Sequence, residues 1–234
     1  MTGWSFIAFF VVLGFEPPTG FVDLEQYIPT VKVDIRYHSS DNFTRAPLPG
    51  YGQAKAWLRE EPAKALQLVQ RDLARLGYGL LIFDAYRPKR SSQAMVAWAK
   101  RQGREDLLTD GYIAARSGHN HGHTIDVSLV ELQTGKQLDM GGEWDQFNSI
   151  SHFDNATTEQ SKANRKLLQD VMKKHGFVPY YKEWWHFRFP MKRTVARDVP
   201  YGCFEQAEGA WVPPSGWSNP NYNSPVDWPT KTCE

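Results

Sequence analysis

The sequence predicts an α+β domain with an antiparallel sheet flanked by helices. Three observations predict it: helical periodicities bounded by capping signals, short β-prone apolar runs between them, and no visible repeat or long low-complexity tract. Glu61-Pro62-Ala63 opens the first helix with proline near its first turn. Leu66, Leu68, Val69, Leu73 and Leu76 continue the apolar pattern to a stop at Gly77. The apolar run Leu80 to Phe83 then reads as a central strand. Ser91 to Lys100 forms a second helix, with Met95, Val96 and Trp98 as its apolar surface. Ile125, Val127 and Leu129 alternate with Asp126 and Ser128, the period of a half-buried strand that sends Asp126 to its polar face. Thr157 and Gln160 have the spacing of a capping box for a third helix ending at His175-Gly176. Pro179, Tyr180-Tyr181 and Trp184-Trp185 favour an extended segment around His186, which completes the sheet.

Composition limits the function classes. The chain has 234 residues, 41% of them hydrophobic, enough for one core; a net charge of +1 lacks the basic excess of a nucleic-acid binder.

Chemistry concentrates in two stretches, Ser117 to Asp126 (Ser-Gly-His-Asn-His-Gly-His-Thr-Ile-Asp) and Glu183-Trp184-Trp185-His186. Together they offer imidazoles, a carboxylate and a spare carboxylate close to the last imidazole. That is the inventory of a catalytic zinc site with an open fourth position. His119 and Asp126 are an odd number of residues apart and would face oppositely on one strand. The chain must therefore turn between them, and Gly122 permits it. His121 and His123 compete with His119 as ligands at this stage. His38, His152 and His175 read as structural or exposed.

Ser-x-His followed by Asp126, with Glu-x-x-His about 60 residues later, resembles the zinc peptidases that include D-Ala-D-Ala carboxypeptidases and D-Ala-D-Ala dipeptidases. Their fold is shared with the hedgehog signalling domain. Further matches resemble the VanX-type dipeptidase branch: Tyr37 to Phe43, Gly77 to Leu81, Asp84-Ala85-Tyr86-Arg87-Pro88-Lys89-Arg90, Met140-Gly141 and Trp144-Asp145. The similarity runs from about residue 22 to 192. Thr124 departs from the alanine usual in the family, as does the His-rich wording around Gly122.

The resemblance implies one zinc per chain held by His119, Asp126 and His186, with Glu183 as general base and Arg87 stabilising the oxyanion. It assigns recognition of a free α-amino group to Asp145. Ser117, Asp84 and Tyr37 either line the substrate cleft or act as capping and supporting groups. The implied activity is hydrolysis of the small dipeptide D-Ala-D-Ala, in wall-precursor metabolism, recycling or glycopeptide resistance. A carboxypeptidase acting on longer wall peptides and a non-catalytic zinc-stabilised module are the alternatives. No nucleic-acid partner and no stable membrane insertion are expected, and the sequence does not specify the oligomeric state.

Three segments follow: 1–21 as a signal or an N-terminal strand, 22–195 as the peptidase domain, and 196–234 as a Pro-, Gly- and Trp-rich extension. The apolar run Phe6 to Phe15 has the length of a signal-peptide core, too short to span a bilayer. Cys203 and Cys233, if oxidised, would tie the extension. Together these features lean toward a periplasmic or secreted location, with the cytoplasm as the alternative.

Overall fold

The computed structural model describes residues 16–202. Phe6 to Phe15, Cys203 and Cys233 lie outside the described residues.

The chain opens with β1 (Phe21–Asp23), the short α1 (Leu24–Tyr27) and β2 (Lys32–Val33). A long irregular segment leads to β3 (Trp57–Arg59), which pairs with β1 and feeds directly into α2 (Glu60–Ala74). Pro62 sits in the first turn of α2, where its missing N–H costs no helical bond. Leu66, Val69 and Leu73 are fully buried on one face. Each such side chain contributes about 1.5–3 kcal/mol of transfer free energy. Leu68 and Leu76 are exposed: Leu68 projects from the other side of the helix, and Leu76 lies beyond its end.

Next come β4 (Tyr78–Asp84), α3 (Lys89–Arg101), α4 (Asp106–Thr109) and β5 (Thr124–Glu131). The chain closes with α5 (Glu159–Lys174), β6 (Val178–Tyr180) and β7 (Glu183–Arg188). The main sheet has the order β2-β4-β5-β7-β6. It is antiparallel as expected except at one edge, where β2 runs parallel to β4. A parallel neighbour requires a crossover, and the excursion through α2 supplies it. Helices α2 and α5 pack on the sheet and on each other.

Two local expectations shift. The cap of α5 lies one residue later than predicted: Thr158 and Ser161 form the capping box. Thr157 instead donates to the Gly141 carbonyl, and Gln160 reaches Asn164. Strand β5 is buried on both faces rather than half-buried: on the face opposite Ile125, Val127 and Leu129, Asp126 lines a cleft and Ser128 accepts from Gln137 Nε2 at 3.1 Å.

The C-terminal extension predicted from residue 196 begins as part of the folded body. Arg197 N donates to Asn120 O, Tyr201 N donates to Gly50 O, and Tyr201 is fully buried. No helix among the described residues is long and apolar enough to cross a membrane.

Candidate metal centre

Three neighbouring strands place three polar side chains in one row. Asp84 of β4 pairs with Asp126 of β5, which pairs with His186 of β7. The register of β4 slips by one residue between Ile82 and Asp84. Without that bulge Phe83 would sit beside Asp126; the extra residue re-aims the strand end and brings a carboxylate into the row.

His119 reaches the same point from a 3-10 turn, Gly118–His121. Ser117 caps this turn by accepting from His119 N, and the Asn120 side chain closes the capping box. Gly122 ends it at φ +70°, and a Cβ there would overlap the Phe21 ring. Both the left-handed backbone and the close approach of Phe21 require glycine. Thr124 lies beneath Gly118, in space that a side chain at Gly118 would contest. The departure at Thr124 therefore packs under the turn without displacing it.

Among the described residues, His119, Asp126 and His186 form the one group of ligating side chains close enough to share a metal ion. His119 Nε2 lies 3.3 Å from Asp126 Oδ1 and 3.3 Å from His186 Nδ1, and His186 Nδ1 lies 3.0 Å from Asp126 Oδ1. Ligands about 2.0–2.1 Å from a tetrahedral zinc stand roughly 3.3 Å apart. Asp126 Oδ1 is buried yet makes no hydrogen bond. A buried carboxylate oxygen without a proton donor, facing two imidazole nitrogens, is a set of lone pairs suited to a shared cation. His119 Nδ1 contacts the Ala85 carbonyl at 2.7 Å, which leaves Nε2 to face the centre. The residues fit zinc.

The other two histidines of the run do not join them. His121 Nδ1 contacts Thr194 Oγ1 at 3.0 Å, and the His123 ring lies against that of His121. Burial lowers the pKa of both, His123 to about 4. His152 bonds Tyr112 and His175 bonds Asp72, neither belonging to the ligating group, while the exposed His38 contacts the Tyr51 carbonyl.

Glu183 and His186 are three residues apart and would face oppositely on a regular strand. The β6–β7 register shifts after Pro179, so that Tyr180 pairs with Glu183 while Pro179 pairs with Phe187. This irregularity brings both side chains to the cleft, with Glu183 Oε2 3.4 Å from His186 Nδ1. Glu183 is buried. Desolvation, with Asp126 and Asp145 nearby, pushes its carboxyl well above the usual range, against the opposing pull of Arg87.

Arg87 lines the cleft and is held by Asp84, which accepts from both Nε and Nη2 at 2.8 Å. Asp84 is fully buried, and its other oxygen accepts from Tyr51 at 2.6 Å. It therefore serves as the anchor of Arg87. Asp145 adopts a left-handed backbone, φ +57°, a conformation that aspartate tolerates better than most residues. Its Oδ2 accepts from Tyr37 at 2.7 Å. Desolvation pushes the Asp145 carboxyl well up despite that hydrogen bond.

All the predicted residues except Asp84 line one cleft of about 200 Å³, joined by Phe43, Tyr112, Arg116, Phe147 and Tyr180. Tyr51 and Asn120 went unnoticed in the sequence. Asn120 stands inside the His-rich run and ties the His119 turn to the Arg87 carbonyl at 2.9 Å, whereas Tyr51 sits in a loop that carries no motif.

The peptidase M15 family, described as D-Ala-D-Ala dipeptidase, matches residues 18–206. A D-alanyl-D-alanine dipeptidase of Enterococcus faecalis is 35% identical over 183 residues, covering 72% of this chain and 91% of the relative. One from Enterococcus faecium is 33% identical, covering 78% and 94%, and one from Streptomyces coelicolor is 34% identical, covering 71% and 90%. With the fold, the donor set and these matches in agreement, the chain belongs to the peptidase M15 family of D-Ala-D-Ala dipeptidases.

Proposed function

We propose that this chain hydrolyses free D-Ala-D-Ala to two molecules of D-Ala in peptidoglycan precursor metabolism, using one zinc ion held by His119, Asp126 and His186. The observation that carries the proposal is the triangle of three donor atoms 3.0–3.3 Å apart, with a buried carboxylate beside it that is not one of the three. Zinc bound there supplies Lewis acidity, polarising the peptide carbonyl and acidifying water.

The chain's own residues do the rest. Glu183 accepts the proton of the attacking water on its carboxylate and delivers it to the leaving amine. Arg87, braced by Asp84, stabilises the anionic oxygen of the tetrahedral intermediate; removing such a donor commonly costs about 10²- to 10³-fold in rate. Asp145, oriented by Tyr37, receives the substrate ammonium. Ser117 lines the cleft while fixing the His119 turn.

Amino-acid release from D-Ala-D-Ala, L-Ala-L-Ala and an acylated D-Ala-D-Ala, compared with the Glu183→Ala variant, tests the proposal. Cleavage of the free D,D-dipeptide alone, lost in the variant, is the expected result; cleavage of the acylated peptide alone would make the protein a carboxypeptidase. Export rests only on Phe6 to Phe15 and the two cysteines. A full-length mass with two free thiols would overturn it.

A further inference from the structure

One segment bonded to the folded body takes no part in the proposed mechanism. Residues 197–202 cross behind the site as a strap that touches both the Arg87 segment and the His119 turn. Arg197 O accepts from Lys89 N, and Arg197 N donates to Asn120 O. Asp198 accepts from Arg90 N at 2.9 Å and pairs with its guanidinium at 3.1 Å. Val199 N donates to the Tyr86 hydroxyl at 2.7 Å.

Tyr201 is the buried end of this strap. Its hydroxyl donates to the Tyr86 carbonyl and accepts from Trp57 N, and its ring packs on Trp57 at 4.3 Å and on Tyr86 at 5.8 Å. A further face stacks on Tyr51, at 5.4 Å and 22°. The Tyr51 ring also contacts Tyr37, at 5.6 Å. With its ring packed between these neighbours, the Tyr51 hydroxyl donates to Asp84 Oδ1 at 2.6 Å.

Asp84 in turn holds the Arg87 fork and lies 3.3 Å from His119 Nδ1. We propose that Tyr201 is a positioning residue for Arg87 and His119, acting through Tyr51 and Asp84. The inference rests on the proposed function for its catalytic consequence, but its effect on the ligand His119 is independent of any substrate. A phenol held from one side only would rotate, Asp84 would lose a donor, and Asp84 would then settle differently against Arg87 and His119. Supporting partners of a metal ligand are commonly worth about 10- to 100-fold in metal affinity.

The test is zinc affinity of the full chain by chelator competition, with dipeptide turnover beside it. Tyr201→Ala is expected to bind zinc about tenfold more weakly, and Tyr51→Phe similarly. The double variant should show no further loss, because both act through one hydrogen bond. Tyr201→Phe keeps the ring against Tyr51 and should restore the affinity, which a general loosening of the strap would not predict. If Tyr201→Ala lacks the near-UV circular dichroism of a packed core, Tyr201→Leu takes its place. Zinc affinity unchanged in the folded variant, or a loss that multiplies with that of Tyr51→Phe, overturns the inference. A wild-type chain inactive on D-Ala-D-Ala whose zinc affinity still follows this pattern would sink the proposed function and leave Tyr201 in its place.

Discussion

Replacing Glu183 by glutamine separates chemistry from metal binding. The amide keeps the volume of a side chain that is only 8% exposed, so no cavity opens. Glu183 stands outside the triangle of His119, Asp126 and His186, so the zinc donors remain complete. Only the proton-accepting oxygen is lost. General base catalysis contributes typically about 10²- to 10⁴-fold, or about 3–5 kcal/mol of barrier at 1.36 kcal/mol per decade. We expect kcat for D-Ala-D-Ala to fall by that factor while zinc content after dialysis stays at one per chain. Melting temperature should hold as well, because desolvation already disfavours the charge that glutamine removes. D-alanine release at saturating dipeptide and zinc content on the same preparation are the two assays. A variant within threefold of wild-type turnover would refute Glu183 as the base; a variant that no longer binds zinc would place it among the ligands.

Four further outcomes follow from the same geometry. His119→Ala should lose zinc and activity together, since His121 is engaged with Thr194 and His123 lies against His121; zinc retained at full stoichiometry would shift the ligand to one of those two. Tyr37→Phe removes a 2.7 Å hydrogen bond to Asp145. A bond to a charged group is worth about 1.5–3 kcal/mol, so kcat/KM should drop roughly 10- to 150-fold, mainly through KM, and an unchanged KM would detach Asp145 from amine recognition. Gly122→Ala forces alanine into a left-handed backbone against Phe21. The expected loss is about 2–4 kcal/mol in urea unfolding together with weaker zinc binding, and a loss below about 1 kcal/mol would show that the turn adapts. Asp72, bonded to Lys174 and His175, has its carboxyl held at about 2. A depressed carboxyl contributes stability that is present above its unfolded value of about 3.9 and lost as pH falls toward about 2. Asp72→Asn should therefore narrow the stability gap between pH 5 and pH 2, and parallel pH profiles for wild type and variant would contradict it.

How much of this was legible depends on the range of the interaction. Helices α2, α3 and α5 and strands β4, β5 and β7 announced themselves through local signals: apolar spacing and capping residues for the helices, an apolar run for β4, alternation for β5 and aromatic β-propensity for β7. The turn at Gly122 followed from parity alone. What stayed hidden needs partners far along the chain. The parallel edge at β2 spans two residues, too few to show a period. The bulge at Phe83 exists only relative to β5, and the β7 irregularity only relative to β6. Burial of β5 on both faces likewise depends on residues outside the strand. Tyr51 and Tyr201 lie 150 residues apart and meet as a stacked pair, with nothing near either one to signal it. The place of the candidate metal site was legible for a different reason. Ligand chemistry restricts residue type so strongly that the stretches Ser117 to Asp126 and Glu183 to His186 stand out before any fold is known, yet it leaves His119, His121 and His123 in competition, and only the family resemblance singles out His119.

Charge balance explains why these residues occur together. Asp84, Asp126, Asp145 and Glu183 are all buried or half-buried around one small cleft, with the Arg87 guanidinium set among them and Arg116 also on the cleft wall. Such an excess of carboxylates is costly in a low-dielectric site, and desolvation pushes Asp84, Asp145 and Glu183 toward their protonated forms. A divalent cation at the His119, Asp126 and His186 triangle offsets part of that excess. Under the proposed amine recognition, a substrate ammonium beside Asp145 would offset more. With the metal in place, a free dipeptide, whose ammonium and carboxylate cancel, would leave the net charge of the cleft unchanged, whereas an acylated peptide would add its carboxylate and leave Asp145 facing an uncharged amide. Preference for an unblocked dipeptide is on this account a property of the whole charge set rather than of one contact. Removing Asp145 alone should accordingly weaken binding of the free dipeptide and narrow its advantage over the acylated one.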